Sequence, residues 1–268
     1  MSDAVIRLEH IKKSYGKSRI LLDVNMEIHK GDIFGLIGRN GSGKTTIFKI
    51  ILGLSGYDSG TVHIGAENES LRQGRSKTGF YVGQNFFPYM NARQNLEYYR
   101  ILKKIDDKSE IDRVLELVGL ENAKSRVAAF SMGMRQRLGI ANALLGKPEI
   151  LILDEPVNGL DPQGIADIRN MLKLINKELG TTIIISSHIL GELQNTANSF
   201  GILDDGRIVK ELSDEDLKVA NNYVRLTVDD VPKAREVLER EGIRIYNESS
   251  DRMSLEDYYF EQVGGGND

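Results

Sequence analysis

The chain of 268 residues contains no cysteine. That absence excludes disulfide bridges and thiolate metal sites, and it fits a reducing cytoplasm. Positive charge is not in excess: 35 Lys and Arg stand against 39 Asp and Glu, for a net charge of −4. Composition therefore predicts no nucleic-acid-binding surface. Long apolar runs are missing too. Stretches such as Ile150-Leu151-Ile152-Leu153 and Ile183-Ile184-Ile185 fall far short of the ~20 residues that cross a bilayer. The opening Met-Ser-Asp-Ala-Val-Ile shows neither the basic nor the apolar region of a secretory signal. No internal repeat or low-complexity segment is visible. What remains is an ordinary globular composition, 40% hydrophobic and 28% charged. Its length suits one large domain, or one of about 200 residues with a small appendage.

The most informative stretch is Gly38-Arg39-Asn40-Gly41-Ser42-Gly43-Lys44-Thr45, a complete G-x-x-x-x-G-K-[ST] phosphate-binding loop. It follows the strand-like run Ile33–Ile37 and precedes the helix-like run Thr46–Leu52, the context that the motif requires. Its glycines let backbone N–H groups curl around phosphate oxygens, and the helix N-terminus adds partial positive charge. Lys44 can reach the β- and γ-phosphates, and the Thr45 hydroxyl can ligate Mg²⁺. The bland alternative is a glycine-rich turn capping a helix, which the strand before the motif and the helix after it disfavour.

Residues 5–11 and 20–28 alternate like two antiparallel strands joined near Tyr15-Gly16, and Gly60–Ile64 and Gly79–Gly83 read as two more. From Asn91 to Gly119 the apolar spacing is helical, with Leu96, Tyr99 and Leu102, then Ile111, Val114, Leu115 and Val118. A helix is expected over 132–145 and another over Pro162–Leu179, stopped by Gly180. Buried-looking strands cover Glu149–Asp154 and Thr181–Ser186. Alternation of strands with helices argues for a parallel α/β sheet. Ser199–Leu203 and Arg207–Glu211 flank Asp204-Asp205-Gly206, a hairpin signal. Beyond residue 212 a strand over Tyr223–Val228, a helix over Pro232–Glu241, a strand over Ile243–Tyr246 and a helix over Leu255–Val263 would make a small α+β appendage. Gly264–Asp268 reads as a frayed tail.

A second set of residues extends the nucleotide chemistry. Ile150–Leu153 ends in Asp154-Glu155-Pro156, which delivers two carboxylates at the C-terminal end of a buried strand, where α/β sheets place ligands. Asp154 suits Mg²⁺, and Glu155 suits a general base acting on water. Ser186-Ser187-His188 closes the next strand, so His188 would lie beside the same site. Gln84 follows the strand at 80–83, from where its amide oxygen could sense Mg²⁺ and water. Phe130-Ser131-Met132-Gly133-Met134-Arg135-Gln136-Arg137 opens a helix with Ser131 as N-cap, and Ser131 with Gly133 makes a second anion site. Two phosphate-binding helix termini far apart in one chain suggest that the second serves another molecule's nucleotide.

With these motifs in this order, the chain resembles the nucleotide-binding subunit of an ABC transporter over residues 4–212. The resemblance implies an α/β P-loop ABC cassette with a mixed sheet core, an antiparallel β subdomain and a helical signature subdomain, followed by the appendage at 213–268. It makes Gly38–Thr45 the Walker A loop, Gln84 the Q-loop residue, Asp154 the Walker B aspartate and Glu155 the catalytic glutamate. Asn158-Gly159-Leu160-Asp161 corresponds to the D-loop, His188 to the switch histidine and Tyr15 to the aromatic residue that stacks on adenine. The implied nucleotide contacts are thus Tyr15, Gly38 to Thr46, Ser131, Gly133 and Asp161, with Mg²⁺ at Thr45, Gln84 and Asp154. The catalytic set is Glu155, His188, Lys44 and Gln84. The signature departs from the common Leu-Ser-Gly-Gly-Gln, because Met132 and Met134 replace a glycine and a glutamine. This variant is similar to the bacitracin and lantibiotic resistance branch.

The resemblance implies ATP and Mg²⁺ as cofactors and a second cassette, identical in the simplest case, as partner. It also implies a separate transmembrane permease docking near Phe86–Tyr99, and a place on the cytoplasmic face of the membrane. The expected function is ATP hydrolysis powering export of a peptide antibiotic or similar drug. The alternative is a soluble ABC-type ATPase with a non-transport role. That role could be on DNA, ribosomes or iron–sulfur assembly; chromosome and repair members would carry a long heptad-rich insertion and ribosome-acting ones two cassettes, and neither is visible here.

Overall fold

The computed structural model describes residues 4–66, 68–83, 86–213, 216, 228 and 230–243. The chain falls into two compact units, Met1–Leu217 and Lys218–Asp268.

The first unit opens with β1 (Ala4–Tyr15) and β2 (Ser18–His29), a long antiparallel pair turning at Gly16-Lys17. Both run longer than the alternation alone suggested, because bulges keep the ladder going where apolar spacing lapses. β4 (Ser59–Ile64) adds to the free side of β1. The remaining strands are β3 (Ile33–Ile37), β5 (Thr78–Tyr81), β6 (Ile150–Leu153), β7 (Thr182–Ser187), β8 (Ser199–Asp204) and β9 (Arg207–Ser213). Together they form one nine-stranded sheet in the order β4-β1-β2-β9-β8-β3-β7-β6-β5. From β8 to β5 the neighbours run parallel. The hairpin β8–β9 is antiparallel, as the Asp204-Asp205-Gly206 turn predicts. β2 and β9 share one paired position, Asp23 with Arg207.

β6 and β7 are buried on both faces, which explains their unbroken apolar runs. Leu151, Leu153, Ile183 and Ile185 face a core closed by the helical side of the unit. Ile150, Ile152, Ile184, Phe34 and Leu36 face a second core with Ile47, Phe48, Ile50 and Ile51 of α1 (Lys44–Ile51). The expected helical stretch from Asn91 to Gly119 is two helices, α3 (Ala92–Leu102) and α4 (Ser109–Leu117). The break follows α3, where Lys104 takes a positive φ of 57°. Asn91 and Gln94 form a capping box at the start of α3. α5 (Met132–Leu144) and α6 (Pro162–Leu179) lie where the sequence puts them, and Gly180 closes α6 in the left-handed region. Two short helices escaped the sequence reading: α2 (Leu71–Ser76) and α7 (Leu190–Gln194). Each is too short for a periodic signal.

The second unit contributes α8 (Val231–Arg240), with Pro232 in its first turn and Asp230 as N-cap. The expected strands over 223–228 and 243–246, the helix over 255–263 and the tail lie outside the described residues, except Val228 and Ile243. Those two belong to no helix or strand.

Candidate nucleotide site

Strand order builds the site. β3, β7 and β6 are consecutive parallel neighbours, with Ile37 opposite Ser187 and Ile185 opposite Leu153. Their C-terminal ends therefore share one edge, and the phosphate loop, His188 and Asp154-Glu155 leave the sheet side by side. β5 ends there too, with Tyr81 opposite Leu153. Gln84 lies three residues on, outside the described residues.

The loop between β3 and α1 is shaped by its glycines. A Cβ at Gly38 would fall 2.6 Å from Ser42 Oγ and 2.7 Å from the Leu203 carbonyl oxygen. Gly43 takes φ 111° at the N-cap of α1, which has no side-chain cap, so the first amides of that helix are left to another acceptor. Ser42 Oγ is buried without a hydrogen-bond partner, while Arg39, Asn40 and Gly41 are exposed. Lys44, only 5% exposed, donates through Nζ to the Gly38 and Arg39 carbonyls at 2.7 and 3.2 Å. The same Nζ stands 3.6 Å from Glu155 Oε1. Thr46, next along α1, is half-buried.

Thr45 Oγ1 donates to Asp154 Oδ2 at 2.6 Å, and Ser186 Oγ donates to Asp154 Oδ1 at 2.6 Å. Ser186 Oγ also accepts from the Glu155 N–H at 2.9 Å. Glu155 adopts φ 48°, unusual for a residue carrying a Cβ. Its carboxylate gathers Lys44, His188 Nδ1 at 3.4 Å and Asn158 Nδ2 at 3.0 Å. Five of the expected residues (Lys44, Thr45, Asp154, Glu155 and His188) thus meet in one network. Ser186 and Asn158 stand in the segments that carry His188 and Asp161, but their contacts with the two carboxylates depend on strand order and on the turn after β6.

Other expected residues lie apart from that network. Tyr15, at the end of β1, is exposed; its hydroxyl is 3.1 Å from Ser55 Oγ and Lys13 Nζ sits 4.8 Å from its ring centre. Ser131 caps α5, accepting from the Met134 N–H at 3.2 Å. An added Cβ at Gly133 would touch only Leu160 at 3.8 Å and Ser131 at 4.0 Å. Met134 packs against the core, whereas Met132 is 45% exposed. Asp161 caps α6 through Gly164 N at 2.9 Å. After Gln84, Phe87 packs edge-on against Tyr98 at 4.8 Å and at a tilt against Tyr89 at 5.8 Å. Tyr89 and Tyr98 are 62% and 44% exposed, while Phe86 and Tyr99 rest on the core.

A mixed sheet whose parallel stretch carries a phosphate loop after β3 and an Asp-Glu pair two strands away, after β6, defines a P-loop nucleotide-hydrolysing domain. A family model described as ABC transporter matches residues 21–158. The bacitracin transport ATP-binding protein BcrA of Enterococcus faecalis is 36% identical, with 98% of this chain and 97% of that protein covered. The lantibiotic transport ATP-binding protein SrtF of Streptococcus pyogenes is 41% identical over 77% of this chain and 90% of its own length. Among solved structures, the dimeric ATP-binding cassette MJ0796 bound to ADP and Pi superposes with TM-score 0.68 at 28% identity, covering 78% of this chain and 98% of that one. The protein cbiO1 of Clostridium perfringens, part of the cbiONQ transporter complex, gives 0.73 at 25% identity, covering 89% and 100%. The chain belongs to the ABC transporter family, as an ATP-binding subunit that hydrolyses ATP. Among the described residues, no helix is long and apolar enough to cross a membrane.

The residues fit ATP with Mg²⁺. The Gly38 cradle leaves no room for a side chain, Ser42 Oγ is an unsatisfied hydroxyl within the loop, and Thr45 with Asp154 offers the hard oxygen donors that Mg²⁺ prefers.

Proposed function

We propose that this chain drives export of a peptide antibiotic or a similar amphiphilic drug through a separate transmembrane permease. The observation that carries the ATPase chemistry is the convergence of Lys44, Thr45, Asp154, Glu155 and His188 at one sheet edge. The cargo rests on the relatives named for bacitracin and lantibiotic transport. Those names also weigh against a non-transport role.

In this reading Lys44 and the loop amides of residues 38–46 bind the phosphates, and Tyr15 stacks on adenine. Mg²⁺, when bound by Thr45, Asp154 and Gln84, screens the phosphate charge. Glu155 takes a proton from water as the water oxygen bonds to the γ-phosphorus. The bond from that phosphorus to the β,γ-bridging oxygen breaks, leaving ADP and phosphate. His188 holds Glu155 through the same carboxylate oxygen that Lys44 meets. Ser131 and Gly133 of a second copy, with Asp161 at the D-loop, complete each site, so ATP closes two cassettes and hydrolysis reopens them. Residues 4–212 do this work, and 213–268 form a separate appendage. The permease docks on the aromatic surface from Phe86 to Tyr99, which places the chain on the cytoplasmic face of the membrane.

The test is expression in a sensitive bacterium together with a candidate permease partner, a protein with about six apolar membrane-spanning segments. Resistance to bacitracin or a lantibiotic that disappears in Glu155→Gln supports the reading. Resistance that is absent, or that survives that substitution, overturns it.

A further inference from the structure

Ser186 is fully buried near the end of β7, and its one hydroxyl holds two residues just past the end of the neighbouring strand β6. It donates to Asp154 Oδ1 at 2.6 Å and accepts from the Glu155 N–H at 2.9 Å. The register makes this possible: Ile185 pairs with Leu153, so Ser186 and Asp154 emerge together beyond the last rung of the ladder.

Two consequences follow. Asp154 is gripped at both oxygens, by Thr45 Oγ1 on one and Ser186 Oγ on the other, so its carboxylate plane cannot rotate without breaking a short hydrogen bond. The chain then turns sharply, with Glu155 at φ 48°, a conformation that costs energy for any residue with a Cβ. The hydrogen bond from the Glu155 N–H to Ser186 holds the backbone in that turn. The turn aims the Glu155 carboxylate at Lys44, His188 and Asn158.

We propose that Ser186 is a positioning residue that sets both the metal-facing orientation of Asp154 and the direction of Glu155. This rests on the reading of Glu155 as the base. Ser186 acts through the two carboxylate residues that its hydroxyl holds. A serine that merely filled space would be replaceable by alanine, since the site would lose only a buried hydroxyl. A positioning serine needs its oxygen, and threonine should substitute for it.

The experiment compares wild type, Ser186→Ala and Ser186→Thr in three measurements. These are turnover against ATP concentration, binding of a fluorescent ATP analogue without Mg²⁺, and the Mg²⁺ concentration that half-saturates the change in that analogue's signal. For Ser186→Ala we expect kcat to fall roughly ten- to a hundredfold with KM little changed. Half-saturation by Mg²⁺ should need several-fold more metal, while Mg²⁺-free nucleotide affinity stays as in wild type. Ser186→Thr should recover most of the turnover and the metal response. Wild-type kcat and Mg²⁺ response in Ser186→Ala would overturn the proposal. So would equal damage in the alanine and threonine variants, or a loss of Mg²⁺-free affinity in step with kcat, because each marks a packing role. Failure of the base reading shows separately, as wild-type turnover in Glu155→Gln.

Discussion

Lys44 Nζ and Glu155 Oε1 lie 3.6 Å apart, with the lysine almost wholly buried. The cation expected to hold phosphate and the carboxylate expected to activate water therefore share a contact. A carboxylate in that position competes with phosphate oxygens for the same ammonium. Glu155→Gln should bind ATP at least as tightly as wild type, while hydrolysis falls by about a hundredfold or more. Single-turnover hydrolysis and size-exclusion chromatography with ATP would show this as slow chemistry and an accumulated closed pair. Wild-type turnover would remove Glu155 from the role of base.

Lys44→Ala should act on binding first. The ammonium holds the Gly38 and Arg39 carbonyls as well as facing Glu155, so the loop loses both its charge and its internal brace. Charged hydrogen bonds contribute about 1.5–3 kcal/mol, which corresponds to roughly a ten- to hundredfold loss of nucleotide affinity. Calorimetric titration with ATP measures it directly, and an unchanged affinity would refute the phosphate-loop assignment.

Phe48, fully buried on α1, links the loop helix to the core shared with Phe34, Ile152 and Ile184. Phe48→Ala should cost about 3–5 kcal/mol by denaturant unfolding. ATP at about a hundred times its dissociation constant should return about 2.7 kcal/mol of that loss. No recovery with ATP would mean that the cavity has also deformed the loop.

Changing Phe87 or Tyr89 to Glu should block capture of the permease in detergent while leaving the ATPase rate of the isolated chain within about twofold. The two rings pack on each other, and Tyr89 is largely exposed, so a carboxylate there meets solvent rather than core. Intact assembly with both variants would contradict docking on this surface.

The loop from Gly38 to Thr45 was legible because its chemistry is local: eight consecutive residues carry the glycines, the lysine and the hydroxyl. The strands at 150–153 and 182–187 were legible because burial on both faces leaves an unbroken apolar run. Strand order was not, since nothing local in β3 says that its neighbours will be β7 and β8. Ser186 stayed without a role for the same reason. A serine two residues before a histidine is unremarkable until β7 is laid beside β6 and its oxygen meets Asp154. The break between α3 and α4 was hidden because the segments on both sides of it carry helical apolar spacing. Ser131 and Gly133 were legible as a helix cap, yet a single chain shows only the cap.

The contrast between the ladders on β3 and the single paired position joining β2 to β9 bears on how load passes through the molecule. β3 is flanked by five register pairs with β7 and four with β8, so a pull along it is resisted in shear by many hydrogen bonds at once. The β2–β9 seam has one pair, Asp23 with Arg207, backed by the Leu22 N–H on the Gly206 carbonyl. Under tension that seam should part first, like the perforated line of a sheet, leaving the phosphate loop on its intact strand.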